Sequence, residues 1–178
     1  MGTPKRPKKA LLFVATLFAD AAVYDETCAK LEERFGPIIM ESPTMPWDYS
    51  EYYGREMGEQ LFRRFLFFGT LIDEGMLAGV KLATNEMEQQ LSVDSRRRIN
   101  LDPGYITQAK VVLASTKDYS HRIYIGQGIY AEVTLMYTKK QLQKGFFTYR
   151  DYLDERTLRI IILARKLFSG VLMARITA

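Results

Sequence analysis

The chain has 178 residues, 47% of them hydrophobic, which is enough for one domain with a substantial core and too apolar for a disordered or low-complexity protein. A single cysteine, Cys28, excludes an internal disulfide framework, and a single histidine, His121, excludes a Cys/His ligand set for structural zinc. Lys5, Arg6, Lys8 and Lys9 in the opening "TPKRPKK" account for the whole net charge of +4, so the remainder is near neutral and bulk charge is weak support for nucleic-acid binding.

No apolar run approaches the ~20 residues of a membrane span, and the N-terminus lacks the basic flank, apolar stretch and small-residue cleavage pattern of a signal peptide. The expectation is a cytoplasmic protein in a reducing compartment, without a membrane partner. Residues 1–9 are read as a basic flexible tail and residues 10–178 as one α+β domain.

In chain order, "KKALLFVATLF" reads as a first strand, and its unbroken apolar run suits a central position covered on both faces. Asp20 then caps a helix whose positions Val23, Thr27, Leu31 and Phe35 recur every four residues, and Gly36-Pro37 ends it. After the short apolar run "PIIM" comes a loop broken by Pro43 and Pro46 and loaded with Trp47, Tyr49, Tyr52 and Tyr53, either packed on the core or used for binding. "EQLFRRFLFFGTLI" fits a long strand. Asp73 is expected to cap a second helix with Met76, Leu77, Val80, Ala83, Met87 and Leu91 inward and Lys81, Asn85 and Glu88 on the polar face.

The link "VDSRRRIN" leads to Asp102-Pro103-Gly104, read as a turn, and then to strands near 105–115, 121–126 and 129–137 that form an antiparallel meander. A helix over about 154–168 closes the chain. This order predicts a ferredoxin-like βαββαβ sandwich with additional C-terminal antiparallel strands and a final helix. The competitor, an alternating parallel α/β fold, is disfavoured by three consecutive strands.

Centring the turn "GQG" on Gln127 sets Arg122 opposite Glu132 and Tyr124 opposite Tyr130, with Thr134 on the same face. Ile123, Ile125, Ile129, Ala131, Val133 and Leu135 occupy the other face, where a hydrophobic layer is expected. The letters Gly126-Gln127-Gly128-Ile129-Tyr130-Ala131 match a dinucleotide fingerprint, but a strand pattern follows where that motif needs a helix. "STKD" has the wrong spacing for a GTPase base-reading signature, and no phosphate loop accompanies it.

Several ionisable groups therefore sit on or beside strands that could have been built from β-branched residues. Lys117, His121, Arg122 and Glu132 are expected to converge with Asp102, and with Glu56 and Lys81, in one concave, partly buried pocket. Each also has a structural alternative. His121 can serve as a general acid/base or bond within its turn; Asp102 can bond the backbone of its turn; Arg122 and Glu132 can be a plain cross-strand ion pair. The run Arg96-Arg97-Arg98 can grip phosphate or simply be a solvated link.

"YYGREMG", "KLATNEME", "RRINLDPGYI", "LASTKDYSHRIYIGQGIYAEVTL" and "FTYRDY" together resemble an uncharacterised bacterial and archaeal family, a domain of unknown function (DUF4416), over nearly the whole chain. The resemblance implies a complete single domain of about this length, and it brings no activity with it. It maps family-motif positions onto Tyr53, Glu56, Met57 and Gly58, then onto Lys81, Thr84 and Asn85. Further positions are Arg98, Asn100, Asp102, Pro103, Gly104 and Tyr105, and then Ser115, Lys117, His121, Arg122, Tyr124, Glu132 and Thr134.

The leading expectation is a protein or enzyme for a small anionic ligand, a phosphate ester or nucleotide. Lys81, Lys117, His121 and Arg122 bind the anion, with Asn85, Arg98, Asn100 and Tyr124 completing the binding set. His121, Glu132, Asp102 and Glu56 are the candidate catalytic groups, and Glu56, Asp102 or Glu132 can act as base or hold a hard cation such as Mg²⁺, although no dedicated metal site is expected. The first alternative is an RNA-binding module stacking bases on Tyr124, Tyr130 and Tyr105 with help from the basic tail. The second is a protein-interaction or structural domain using the Trp47 loop.

Overall fold

The computed structural model describes residues 2–176. Among them, nine strands form one antiparallel sheet on which three long helices pack. The centre is β1 (Leu11–Phe18), buried along its whole length, between β4 (Leu61–Phe68) and β5 (Ile99–Ile106). Beyond β4 lies β2 (Ile38–Glu41), and β3 (Met45–Trp47) pairs with β4 nearer its start. On the other side, β5 is followed by β6 (Lys110–Ser115), β8 (Ile129–Thr138) and β7 (Ile123–Gly126), and β9 (Gln141–Lys144) adds to β8.

The period of two along β1 divides the core. Leu12, Val14 and Phe18 face α1 (Ala21–Phe35) and α3 (Leu77–Gln90), whereas Leu11, Phe13 and Ala15 pack with Phe65 and Phe67 against Ile161, Ala164 and Phe168 of α4 (Glu155–Ile176). Because helices cover both faces, every β1 position is apolar or, at Thr16, bonds its hydroxyl back to the Arg64 carbonyl. Asp20 caps α1 by accepting from the Ala22 N–H at 2.8 Å, and Gly36 ends it. No helix among the described residues is long and apolar enough to cross a membrane.

The aromatic loop packs at Trp47, which is 9% exposed and sits with Leu17, Met57 and Leu61, while Tyr52 stays exposed. The loop adds the one-turn helix α2 (Gly54–Met57). Residues 2–9 carry no helix or strand, yet Arg6 and Lys9 both pair with Asp73, at 3.0 and 3.1 Å. Asp73 therefore makes no capping bond; a 3-10 turn over Glu74–Met76 precedes α3 instead.

Other expectations need correction. Asp102-Pro103-Gly104 is not a turn but the middle of β5, with Asp102 opposite Ala15 and Pro103 opposite Val14. Proline is tolerated there because β6 pairs with β5 only over Gly104–Ile106, so the ladder stops at the residue that has no N–H to donate. The span 105–115 is accordingly two strands joined through Thr107, whose N–H bonds the Lys110 carbonyl at 2.9 Å. Nor do the later strands form a meander: β6 pairs with β8, with Ser115 opposite Tyr130, leaving β7 at the edge. The ten-residue β8 can match β6 along its length, which the four-residue β7 cannot.

The hairpin about Gln127 forms with positive φ at Gly126, Gln127 and Gly128 and with Tyr124 opposite Tyr130. Its expected apolar face does not stay on one side. A register shift at Val111/Val112 leaves Thr134 extra in β8, so Ile129 packs under α1 and α3 while Leu135 packs under α4. Ile123 and Val133 are left exposed. The inward face of α3 is wider than expected: Leu77, Val80, Met87 and Leu91 are buried as read, but so are Lys81, Thr84 and Glu88, while Met76, just before the helix, is exposed. The last helix continues from Glu155 to Ile176, past the expected end at 168.

Candidate functional site

Where β5 and β6 stop pairing, their ends diverge, and a cavity of about 570 Å³ opens between them. β5 contributes Asn100 and Asp102, β6 and the following turn Ser115 and Lys117, and α3 Lys81, Asn85 and Glu88; the aromatic loop and the segment 149–152 complete the wall.

The floor is built on Arg63. It shares one face of β4 with Leu61, Phe65 and Phe67, so strand geometry alone sends its side chain into the core. Its Nη2 pairs with Asp151 Oδ2 at 2.9 Å, and its Nη1 stands 3.6 Å from Asp102 Oδ2. The guanidinium lies 5.9 Å from the Trp47 and Phe65 ring centres. Among the described residues Nε and Nη1 nevertheless make no hydrogen bond, and neither does the Tyr152 hydroxyl, all of them buried, while the Trp47 indole helps to hold the Asp151 carboxylate. Burial pushes the Tyr152 phenol well above its ordinary value and raises the Asp151 carboxyl against the pull of Arg63.

A second cluster surrounds Arg122. Its Nε donates to Glu132 Oε2 at 2.9 Å, its Nη1 to Ser115 Oγ at 2.7 Å and the Lys117 carbonyl at 3.0 Å, and its Nη2 to the Tyr149 hydroxyl. His121 Nε2 also meets Glu132 Oε2, at 3.0 Å, while its ring stacks on Phe147 and its Nδ1 is buried without a partner. The third group joins α3 to β5. Lys81 Nζ donates to the Leu101 carbonyl at 2.8 Å, and Glu88 Oε1 accepts from the Leu101 N–H at 2.6 Å, so α3 satisfies the β5 backbone that β6 has left. Burial raises the Glu88 carboxyl to about 7.

Of the residues expected from sequence, Lys81, Asn85, Asn100, Asp102, Lys117, Arg122 and Glu132 line this cavity together. Four do not. His121 reaches Glu132 from outside the lining; Glu56 is held by Arg97 in a two-pronged ion pair at 2.7–2.9 Å; Arg98 pairs with Asp20 at the start of α1; Tyr124 is exposed beside Tyr130. Of the arginine run it is Arg97 that lines the cavity, its Nη1 donating to Asn100 Oδ1 at 3.1 Å. Tyr105 is buried with its hydroxyl on Glu74, so it offers no face to a base.

Sequence reasoning missed Arg63, Glu88, Tyr149, Asp151 and Tyr152. The alternation of "LFRRFLFF" carried the signal for Arg63, since an arginine in register with Leu61, Phe65 and Phe67 has nowhere else to point. Glu88 reads from sequence only as part of the polar face of α3, and its segment "KLATNEME" and the segment "FTYRDY" over residues 147–152 are marked by the family resemblance but by no local periodicity. Among the described residues no three of His, Cys, Asp and Glu are grouped to hold a metal ion, because the cavity carboxylates face arginine or lysine instead.

A family model described as "Domain of unknown function (DUF4416)" matches residues 8–168. No curated protein and no solved structure matches the chain.

Proposed function

We propose a function from the premise that this chain belongs to the family Domain of unknown function (DUF4416): the cavity between β5 and β6 binds a small anionic molecule, a phosphate ester or nucleotide. One observation carries this reading. Arg63 Nε and Nη1 and the Tyr152 hydroxyl are buried donors of residues that line one cavity, and among the described residues none makes a hydrogen bond. Buried donors without partners are costly, so a set of them around a cavity calls for acceptor oxygens supplied from outside the chain.

An anion supplies them and gains the Arg63 charge in a setting of low dielectric. Lys117 at the mouth, its Nζ 4.9 Å from the Tyr52 ring centre, provides a cation for capture. The volume suits a small-molecule site, typically about 300–1,000 Å³. Glu132 is already engaged by both Arg122 and His121, so Asp102 is the carboxylate placed to act on a bound molecule. The strand order β2-β4-β1-β5, with α1 and α3 on one face, supports a ferredoxin-like βαββαβ unit extended by β6 to β9 and α4.

Tyr152→Phe tests the reading because it removes only an orphaned hydroxyl. Without a ligand the variant should melt at the same temperature as the parent or higher; by calorimetry its affinity for phosphate or adenosine monophosphate should fall about tenfold. Failure of either compound to bind the parent at millimolar concentration, or equal binding by the variant, rejects the proposal.

A further inference from the structure

Resting on the reading of the cavity as an anion site, we propose that the ligand is a hydroxylated phosphate ester, a sugar or polyol phosphate, one of whose hydroxyls donates to Asp102 Oδ1. The carboxylates on the wall are not equivalent. Glu132 and Asp151 are buried and each is bonded to an arginine, and Glu88 accepts from the β5 backbone. Asp102 is different: about a third of its side chain is exposed to the cavity. Its Oδ2 accepts from Asn100 Nδ2 at 2.9 Å, but Oδ1 lies 4.0 Å from Lys81 Nζ, whose own hydrogen bond goes to the Leu101 carbonyl. One carboxylate oxygen in the middle of the site is therefore left without a donor.

A bare anion seated by Arg63 meets this carboxylate as a like charge, which weakens its binding. A ligand that also carries a hydroxyl turns the same contact into a charge-assisted hydrogen bond. Asp102 thus works in both directions, against simple anions and in favour of hydroxylated ones. The Asn85 and Gln89 amides on the α3 side of the cavity offer further partners to a polyol, and Tyr52 and Tyr53 offer apolar faces to its carbons.

The test compares ribose 5-phosphate with methyl phosphate on the full chain at pH 8, where a phosphomonoester is a dianion with no proton of its own to donate. The parent should bind ribose 5-phosphate about tenfold or more tighter than methyl phosphate. Asp102→Asn should narrow that ratio from both ends, losing affinity for ribose 5-phosphate and gaining it for methyl phosphate. If Asp102→Asn does not fold, Asp102→Ser takes its place, and the ratio in the parent stands as a measurement independent of any variant. Equal affinities in the parent, or a ratio unmoved in a folded variant, overturns the assignment while leaving the anion site intact. Binding of neither phosphate overturns both.

Discussion

Arg63 and Asp151 form an ion pair at 2.9 Å beneath the cavity, with 7% and 9% of their side chains exposed. Both charges are desolvated, so each is tolerable only while the other is present. Arg63→Met should cost about 3–5 kcal/mol in urea unfolding, and adding Asp151→Leu should restore a large part of it, since replacing both partners removes the uncompensated charge. Additive losses in the double variant would mean that the two residues do not act as a pair.

Arg122 has 1% of its side chain exposed and holds four acceptors from three segments of chain. Arg122→Met should destabilise by about 3–5 kcal/mol because Glu132 is left buried with only His121 and Thr134. Placing Glu132→Gln in the same background should recover part of the loss by removing the stranded charge. Thermal denaturation of the two variants side by side decides it.

Glu88 makes stability depend on pH. Its carboxyl keeps a proton up to about 7 in the folded chain but releases it near 4.5 when unfolded. Between those values the native state binds more protons, so stability should fall as pH rises from about 4.5 to 7, by roughly 3 kcal/mol at most. Glu88→Gln keeps the oxygen that accepts from Leu101 and should flatten that fall in unfolding measured across the window. An unchanged slope would place the proton elsewhere.

Gly104 is required for closeness rather than for an unusual φ. A Cβ there would lie 2.4 Å from the Val112 carbonyl oxygen and 2.6 Å from the Phe13 ring. Gly104→Ala should therefore cost about 3 kcal/mol. The contrasting substitution is Gly79→Ala, at an exposed α3 position with no neighbour within 4 Å, which should stabilise by about 0.5–1 kcal/mol through helix propensity. Both are read from shifts in melting temperature.

The features legible in the amino-acid order alone are local. The apolar run of β1, the Asp20 cap and Gly36 stop of α1, and the hairpin about Gln127 each follow from the geometry of a few consecutive residues, and so does the opposition of Arg122 to Glu132. Asn100, Asp102, Arg122 and Glu132 of the cavity wall were legible as polar groups on or beside strands, whereas Arg63, in the middle of the apolar β4, was not. It takes the assembled sheet to pair β6 with β8, to make Pro103 end a ladder instead of a turn, and to bring Arg63, Glu88 and Asp151 to one opening. Those outcomes depend on which distant strand offers the longer ladder and on where two strands part. Period and turn chemistry act within a few residues, whereas strand choice is settled by the burial and hydrogen bonding of the whole sheet.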